Sequence, residues 1–320
     1  MNRTFIMDEA WDYLIILDAC RYDVFVEVYR EYLEGNLERR DSAGSSTVDW
    51  RDKALTGRHD DVVYISSNPY INSAMPVKGY KGSDHFAHVY DVWSGSWDEE
   101  RGTVLPASVT GAALLALRDH PGKRQIVHYL QPHAPYLSLD MDSAGFPVPD
   151  LPGDRVLTGV DDKGEKGVRA ALLKLLSAIC YKTGILGDNP VWKLRQWLGM
   201  EPASPMDAVR RKYGDPGLRT AYRENLRMVL KEVQELVRYL AGRIIITSDH
   251  GELLGEKGRY SHFGGSDDPL LTGVPWLVID KKDRQDPIVS GAAGEGAAGR
   301  SGGEDEARIR ARLKALGYID

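Results

Sequence analysis

A three-layer α/β sandwich around a mostly parallel central sheet is what this sequence predicts, on three observations. Apolar, strand-like runs alternate along the chain with amphipathic helical stretches. The runs are continuous rather than alternating, as in strands covered on both faces. Several of them stop at a polar cluster, where the ligands of such sheets bind, beyond the strand carboxyl ends.

The elements follow in order. Tyr13–Leu17 is five consecutive apolar or aromatic residues, a buried strand that ends at Asp18. Residues 23–34 have helical spacing, with Gly35 as the stop. A Ser/Gly-rich turn occupies 41–47, a second strand 62–66, a helix 106–118 and a third strand 125–130, which runs into Gln131-Pro-His-Ala-Pro-Tyr136. From there to about residue 154, Pro, Gly and Asp mark a long loop. Val168, Ala171, Leu172, Leu175, Leu176 and Ile179 restore helical spacing over 164–200, so a helical insert over about 155–215 is expected to cap the site. A long amphipathic helix over 218–239 carries Leu226, Val229, Leu230, Val233, Leu236, Val237 and Leu240 on one stripe, and Gly242 ends it. Residues 243–247 form a fourth strand, ending in Ser248-Asp249-His250-Gly251-Glu252, and 275–279 a fifth. The expected organisation is a catalytic domain over 1–285, a Gly/Ala-rich flexible linker over 286–303 and a C-terminal helix over 304–320 packed on the domain. There is no internal repeat.

Composition narrows the function classes. Over 320 residues the formal charge is −6, without the basic face that broad nucleic-acid binding needs. Two cysteines, Cys20 and Cys180, make neither a disulfide scaffold nor a zinc–thiolate site. No apolar run approaches ~18 residues, so no transmembrane segment is expected. The first dozen residues carry Asp8, Glu9 and Asp12 and lack a signal-peptide core, so a cytoplasmic location is expected.

The chemistry sits where strands stop. Asp249 and His250 deliver a carboxylate and an imidazole to one sheet edge, good ligands for zinc and, more weakly, manganese. A helix cap beside a passive histidine accounts for the same pair. Asp18 follows a wholly apolar strand, where a carboxylate needs a partner. That partner is Arg21, the N-terminus of the next helix, or a metal shared with Asp249. Gly44-Ser-Ser-Thr47 is either an ordinary polar turn or the source of a metal-activated hydroxyl nucleophile. No Gly-x-Ser-x-Gly elbow and no phosphate-binding P-loop is present. His133 lies between two prolines and His262 in Tyr260-Ser-His-Phe-Gly-Gly265, both read as exposed loop histidines able to hold an oxyanion or donate a proton. His59, His85, His88, His120 and His128 read as surface or packing residues.

With those residues in view, the chain resembles the alkaline phosphatase superfamily, in its sulfatase-like branch. Residues 14–23, Leu-Ile-Ile-Leu-Asp-Ala-Cys-Arg-Tyr-Asp, resemble the first strand and its metal-binding aspartate. Residues 247–256, Thr-Ser-Asp-His-Gly-Glu-Leu-Leu-Gly-Glu, with Tyr260 and His262 beyond, resemble the catalytic block of phosphoethanolamine transferases and lipoteichoic-acid synthases, and 131–136 their phosphate-binding histidine segment. Residues 312–318 are similar to sulfatase-like C-termini. The resemblance implies an alkaline-phosphatase-like fold and one tightly bound Zn2+ or Mn2+, held by Asp18, Asp249, His250 and the nucleophile. It places that nucleophile on Thr47, with Ser45 and Ser46 as alternatives, and gives His133 and His262 the transferred group or a second metal. The implied activity is hydrolysis or transfer of phosphate esters through a phosphothreonine. The substrate would be a phosphorylated or sulfated small molecule, glycan or lipid head group, and nucleic acid is not expected. Residues 42–50 carry no Cys-x-Pro-x-Arg, so a formylglycine sulfatase is disfavoured. Sulfate-ester or phosphonate hydrolysis on the same scaffold, or a non-catalytic binding protein, are the alternatives.

Overall fold

The computed structural model describes residues 3–139, 189–200 and 202–283, with Ala307, Arg310 and Ala311. Most of the expected insert, the linker and the C-terminal helix lie outside the described residues.

In chain order the strands are β1 (Arg3–Thr4), β2 (Tyr13–Leu17), β3 (Asn36–Ser42), β4 (His59–Ser66), β5 (Phe86–Asp91), β6 (Trp97–Asp98), β7 (Thr103–Val104), β8 (Arg124–Tyr129), β9 (Gly242–Thr247), β10 (Leu253–Leu254), β11 (Tyr260–Ser261) and β12 (Gly273–Lys281). The α-helices are α1 (Tyr22–Val28), α2 (Thr47–Ala54), α3 (Val92–Gly95), α4 (Pro106–Asp119), α5 (Asn189–Trp197), α6 (Pro205–Arg238) and α7 (Pro269–Thr272). Eight strands form one sheet in the order β1-β3-β12-β9-β2-β8-β4-β5. Only β12 runs antiparallel to its neighbours, β3 and β9. The mostly parallel three-layer α/β fold is therefore present.

The layers follow from strand alternation. Ile15, Leu17, Val63, Ile65, Val127 and Ile246 face the core shared with α1, α4 and α6. Leu14, Ile16, Val62, Tyr64, Ile126 and Ile245 face the other core, where Trp50 of α2 and Trp276 pack. With both faces covered, the parallel strands read as unbroken apolar runs.

Differences from expectation have local causes. The 23–34 helix shortens to α1, and a 3-10 turn over Tyr29–Glu31 follows it. Tyr29 stacks on Phe25 there, ring centroids 5.3 Å apart. Strand β3 occupies the start of the expected turn; its Asn36, Glu38 and Arg39 are exposed, which hides its periodicity. Edge strand β5 and helix α2 were likewise masked by polar residues. Helix α6 begins at Pro205, well before residue 218, and kinks at Gly214 (φ 70°), two residues before Pro216.

A candidate metal centre at the carboxyl edge of the sheet

Five strands that run the same way end at one edge, and each hands over a polar segment. Strand β2 gives Asp18, β3 the 43–47 turn, β4 Asn68, β8 the His133 loop and β9 Ser248 to Glu252.

The turn after β2 bends through Ala19, whose φ of 58° is uncommon without glycine. That bend points the Ala19 N–H at Asp249 Oδ1, 3.0 Å away. The Tyr222 hydroxyl of α6 secures the turn, donating to Ala19 O at 2.6 Å and accepting from Arg21 N at 2.9 Å. Arg21 pairs with Asp23 and Glu256, each contact shorter than 3 Å, so it is not the partner of Asp18.

Asp18, Asp249 and His250 are all fully buried and converge. Asp249 Oδ1 accepts from the backbone of Ala19 and His250, while its Oδ2 accepts no hydrogen bond among the described residues and lies 3.3 Å from His250 Nε2. Asp18 Oδ2 accepts from Asn68 Nδ2 at 2.7 Å, and Oδ1 turns toward His250 Nε2 at 3.8 Å. His250 Nδ1 donates to Gly251 O at 2.7 Å, which in the neutral ring leaves the Nε2 lone pair facing both carboxylates. Thr47 Oγ1 is 3.2 Å from the same Nε2. Burial opposes ionisation of Asp18, yet the imidazoles of His128, 3.5 Å from Oδ2, and of His133 and His250 hold its carboxyl well below the usual range. Two buried carboxylates around an imidazole lone pair form an acceptor-rich cluster, which a divalent cation satisfies. The oxygen-and-imidazole donor set suits zinc or manganese, so the residues present fit the expected ion.

Thr47 is the hydroxyl of the turn that reaches this cluster. Ser46 caps α2, accepting from Asp49 N. Ser45 Oγ donates to Phe263 O at 2.8 Å and accepts from Ser266 N at 2.9 Å, while Asp49 Oδ2 accepts from Ser45 N and Gly265 N. Ser45 and Asp49 thus staple the Thr47 turn to the His262 loop.

His133 and His262 are not exposed. His133 is 5% accessible and the His262 side chain 6%. His133 Nδ1 donates to Ala134 O at 2.6 Å, and Asn225 of α6 fastens its loop, donating to the carbonyls of Pro132, His133 and Pro135 and accepting from Leu137 N. His133, Glu252 and His262 each place a ligand atom within 4.8 Å of the others. Glu252 Oε1 lies 3.1 Å from His262 Nδ1. Burial raises the Glu252 carboxyl to about 7 and lowers His262 to about 4, so the pair resists charging. The His262 ring centroid is 4.1 Å from that of His250.

Four members of this edge escaped the sequence reading. His128, which reads as a surface or packing residue, is buried beside Asp18, with Nε2 3.5 Å from Oδ2. A histidine inside an apolar strand run was the available signal. Glu252 stood in plain view two residues after His250. Asn68 and Asn225 carried no signal, since their roles depend on which chain segments meet.

No family model and no curated protein matches this chain. Among solved structures, it is similar to the integral membrane lipooligosaccharide phosphoethanolamine transferase A of Neisseria meningitidis. The identity is 15% over 83% of this chain and 47% of that one, with a TM-score of 0.40. The chain thus spans about half the length of that protein. It is also similar to the C-terminal periplasmic domain of EcEptC from Escherichia coli in complex with zinc, at 12% identity over 84% and 72% of the two chains and a TM-score of 0.40. A putative sulfatase from Bacteroides thetaiotaomicron matches at 13% identity over 88% and 67%, with a TM-score of 0.43. No described helix is long and apolar enough to cross a membrane.

Proposed function

We propose that the chain is a metal-dependent phosphoester hydrolase or phosphotransferase that works through a phosphothreonine at Thr47. The observation that carries this reading is the convergence of Thr47 Oγ1, Asp18 and Asp249 on His250 Nε2. Asp18, Asp249, His250 and Thr47 would hold one zinc or manganese ion. Bound there, the ion supplies a Lewis acid that eases deprotonation of the hydroxyl and offsets charge on the phosphoryl oxygens.

Thr47 Oγ1 gives up its proton to solvent and attacks phosphorus in line. The new O–P bond forms as the ester O–P bond breaks, and the leaving alkoxide takes up a proton from solvent. Water, or an acceptor hydroxyl in a transfer, then receives the phosphoryl group and the threonine hydroxyl is restored. His133 and His262 hold the transferred group, with Glu252 orienting His262. The same three residues are the place for a second ion, should one bind. A phosphorylated small molecule, glycan or lipid head group is the substrate class.

The test is metal analysis of the purified chain, with turnover of p-nitrophenyl phosphate, its phosphodiester analogues and p-nitrophenyl sulfate under added zinc or manganese. Bound metal and phosphate-ester turnover, both phosphoryl transfer to Thr47 and turnover lost in Thr47→Ala, are expected. Faster sulfate turnover would move the assignment to sulfate esters. A well-folded chain that binds no metal would overturn it.

A further inference from the structure

Among the described residues, His128 is the one ligand-type side chain at the Asp18 carboxylate with no role in the proposed chemistry. It is the second-last residue of β8, level with Ile16 on one side and Ser66 on the other, fully buried. Its ligand atom lies within 4.8 Å of those of Asp18 and Asp249, so distance alone makes it a candidate metal ligand. The hydrogen bonding around its ring decides otherwise.

Tyr64, on the neighbouring strand β4, is also fully buried, and its hydroxyl is 2.8 Å from His128 Nδ1. That contact is the only hydrogen bond of the Tyr64 hydroxyl among the described residues. A phenol inside the core of Trp50 and Trp276 keeps its proton, because burial pushes its ionisation well above the ordinary value. The proton needs an acceptor, since a buried donor left unpaired costs ~1–3 kcal/mol. The acceptor within reach is Nδ1, so Nδ1 carries the lone pair and the ring proton sits on Nε2. A ring protonated on Nδ1 would turn the phenol into the acceptor and leave its own buried proton without a partner among the described residues. The Nε2–H faces Asp18 Oδ2 at 3.5 Å, beside the shorter bond from Asn68 Nδ2 at 2.7 Å.

We infer that Tyr64 and His128 are a positioning pair: Tyr64 fixes His128 in its Nε2–H tautomer, and His128 acts as an outer donor to Asp18 rather than as a metal ligand. The consequence concerns the carboxylate. With Oδ2 bonded to Asn68, just beyond β4, and faced by His128 Nε2 of β8 at 3.5 Å, Asp18 offers Oδ1 toward His250, so the pair selects which oxygen meets a cation. Outer donors of this kind typically affect metal affinity by ~10–100-fold.

The inference rests on the metal-site reading above, but its test separates the two. The experiment is a long-range proton–nitrogen correlation spectrum of the histidine rings in the 15N-labelled full chain, metal-free and zinc-loaded, with His128 assigned from its loss in His128→Gln. A protonated Nε2 and an unprotonated Nδ1 in both states are expected. A ring protonated at Nδ1 in the metal-free chain overturns the inference, whatever happens to zinc. So does an Nε2 that loses its proton on zinc loading. Zinc affinity by chelator competition gives the second readout. His128→Leu should weaken binding about 10–100-fold, whereas His128→Gln, whose amide puts a donor near the Nε2 position, should largely retain it. A ligand would be lost equally in both, and equal losses overturn the inference. Tyr64→Phe removes one oxygen and releases the tautomer, so the His128 spectrum should change in a protein that still folds. An unchanged spectrum there also overturns it.

Discussion

Asn225 offers the sharpest test of how the site is held, because its amide does work that no apolar side chain can do. It interrupts the buried stripe of α6 between Tyr222 and Leu226, where an asparagine is a poor helix residue. Its two N–H protons are shared among the carbonyls of Pro132, His133 and Pro135 at 3.0–3.3 Å, and its Oδ1 accepts from Leu137 N at 2.8 Å. Asn225→Leu keeps the volume and removes two donors and one acceptor. Each buried group left unpaired costs ~1–3 kcal/mol, so the expected loss is about 3–5 kcal/mol, after partial relaxation of the loop. That is a large share of the ~5–15 kcal/mol by which domains are stable. Asn225→Asp keeps the acceptor but turns a carboxylate onto three carbonyls. Its loss should be similar at neutral pH and smaller in acid, where the protonated side chain regains one donor. The assay is urea unfolding followed by far-UV circular dichroism, reading the midpoint at constant slope. Zinc affinity of the folded fraction should change little, because Asp18, Asp249 and His250 stand on other segments. A loss below about 1 kcal/mol in Asn225→Leu would refute the reasoning, since it would mean that water replaces the amide at no cost.

Three further outcomes are expected. Thr47→Ala should abolish turnover and the trapped phosphoenzyme while leaving the unfolding free energy within about 1 kcal/mol of the parent; intact-mass spectrometry after substrate exposure checks the phosphoenzyme. Ser45→Ala should instead cost about 1–3 kcal/mol and preserve the capacity to form that adduct, because the Ser45 hydroxyl bridges Phe263 O and Ser266 N; loss of the adduct with stability intact would reverse the two roles. Glu252 gives a pH dependence in the metal-free chain: its folded value, raised by burial from 4.5 to about 7, makes its contribution full below the lower value and lost as pH rises through the upper. Metal-free Glu252→Gln should therefore match the parent near pH 4.5 and exceed it by up to about 3 kcal/mol near pH 8.5; equal differences at both pH values, measured by urea unfolding, would contradict that.

What was legible in the sequence follows from how each residue earns its place. The parallel strands β2, β4, β8 and β9 announce themselves because burial on both faces demands continuous apolar runs, and their ends are visible because a polar residue follows within two positions. Of the strands that escaped, the two long ones, β3 and β5, lie toward the sheet edges, where exposed Glu38 and Arg39 or Ala87 and His88 break the pattern, and the others are two residues each. The direction of β12 was invisible for a different reason. A run such as Pro-Trp-Leu-Val-Ile has the same burial requirement whichever way it points, and only pairing with β3 and β9 sets its sense.

The site divides along the same line. Asp18, Asp249 and His250 were readable because a charged or ligating group at the end of an apolar strand needs a partner, and the sheet brings such ends to one edge. The residues that hold them were not readable, because their value lies in what they meet. Asn225 serves a loop about 90 positions away in the chain, Tyr222 one about 200 away, and Ser45 a loop on the far side of β9. His128 is the instructive case. A polar side chain in the run Ile126-Val127-His128-Tyr129 is not stabilised by packing alone, so its presence there already required buried polar partners on neighbouring strands. The parallel register then leaves few candidates, and a strand-end carboxylate two residues beyond the Ile16 level is among them. A polar residue that breaks an apolar strand is thus as informative as one that ends it: the ending marks the ligand, and the interruption marks what orients the ligand.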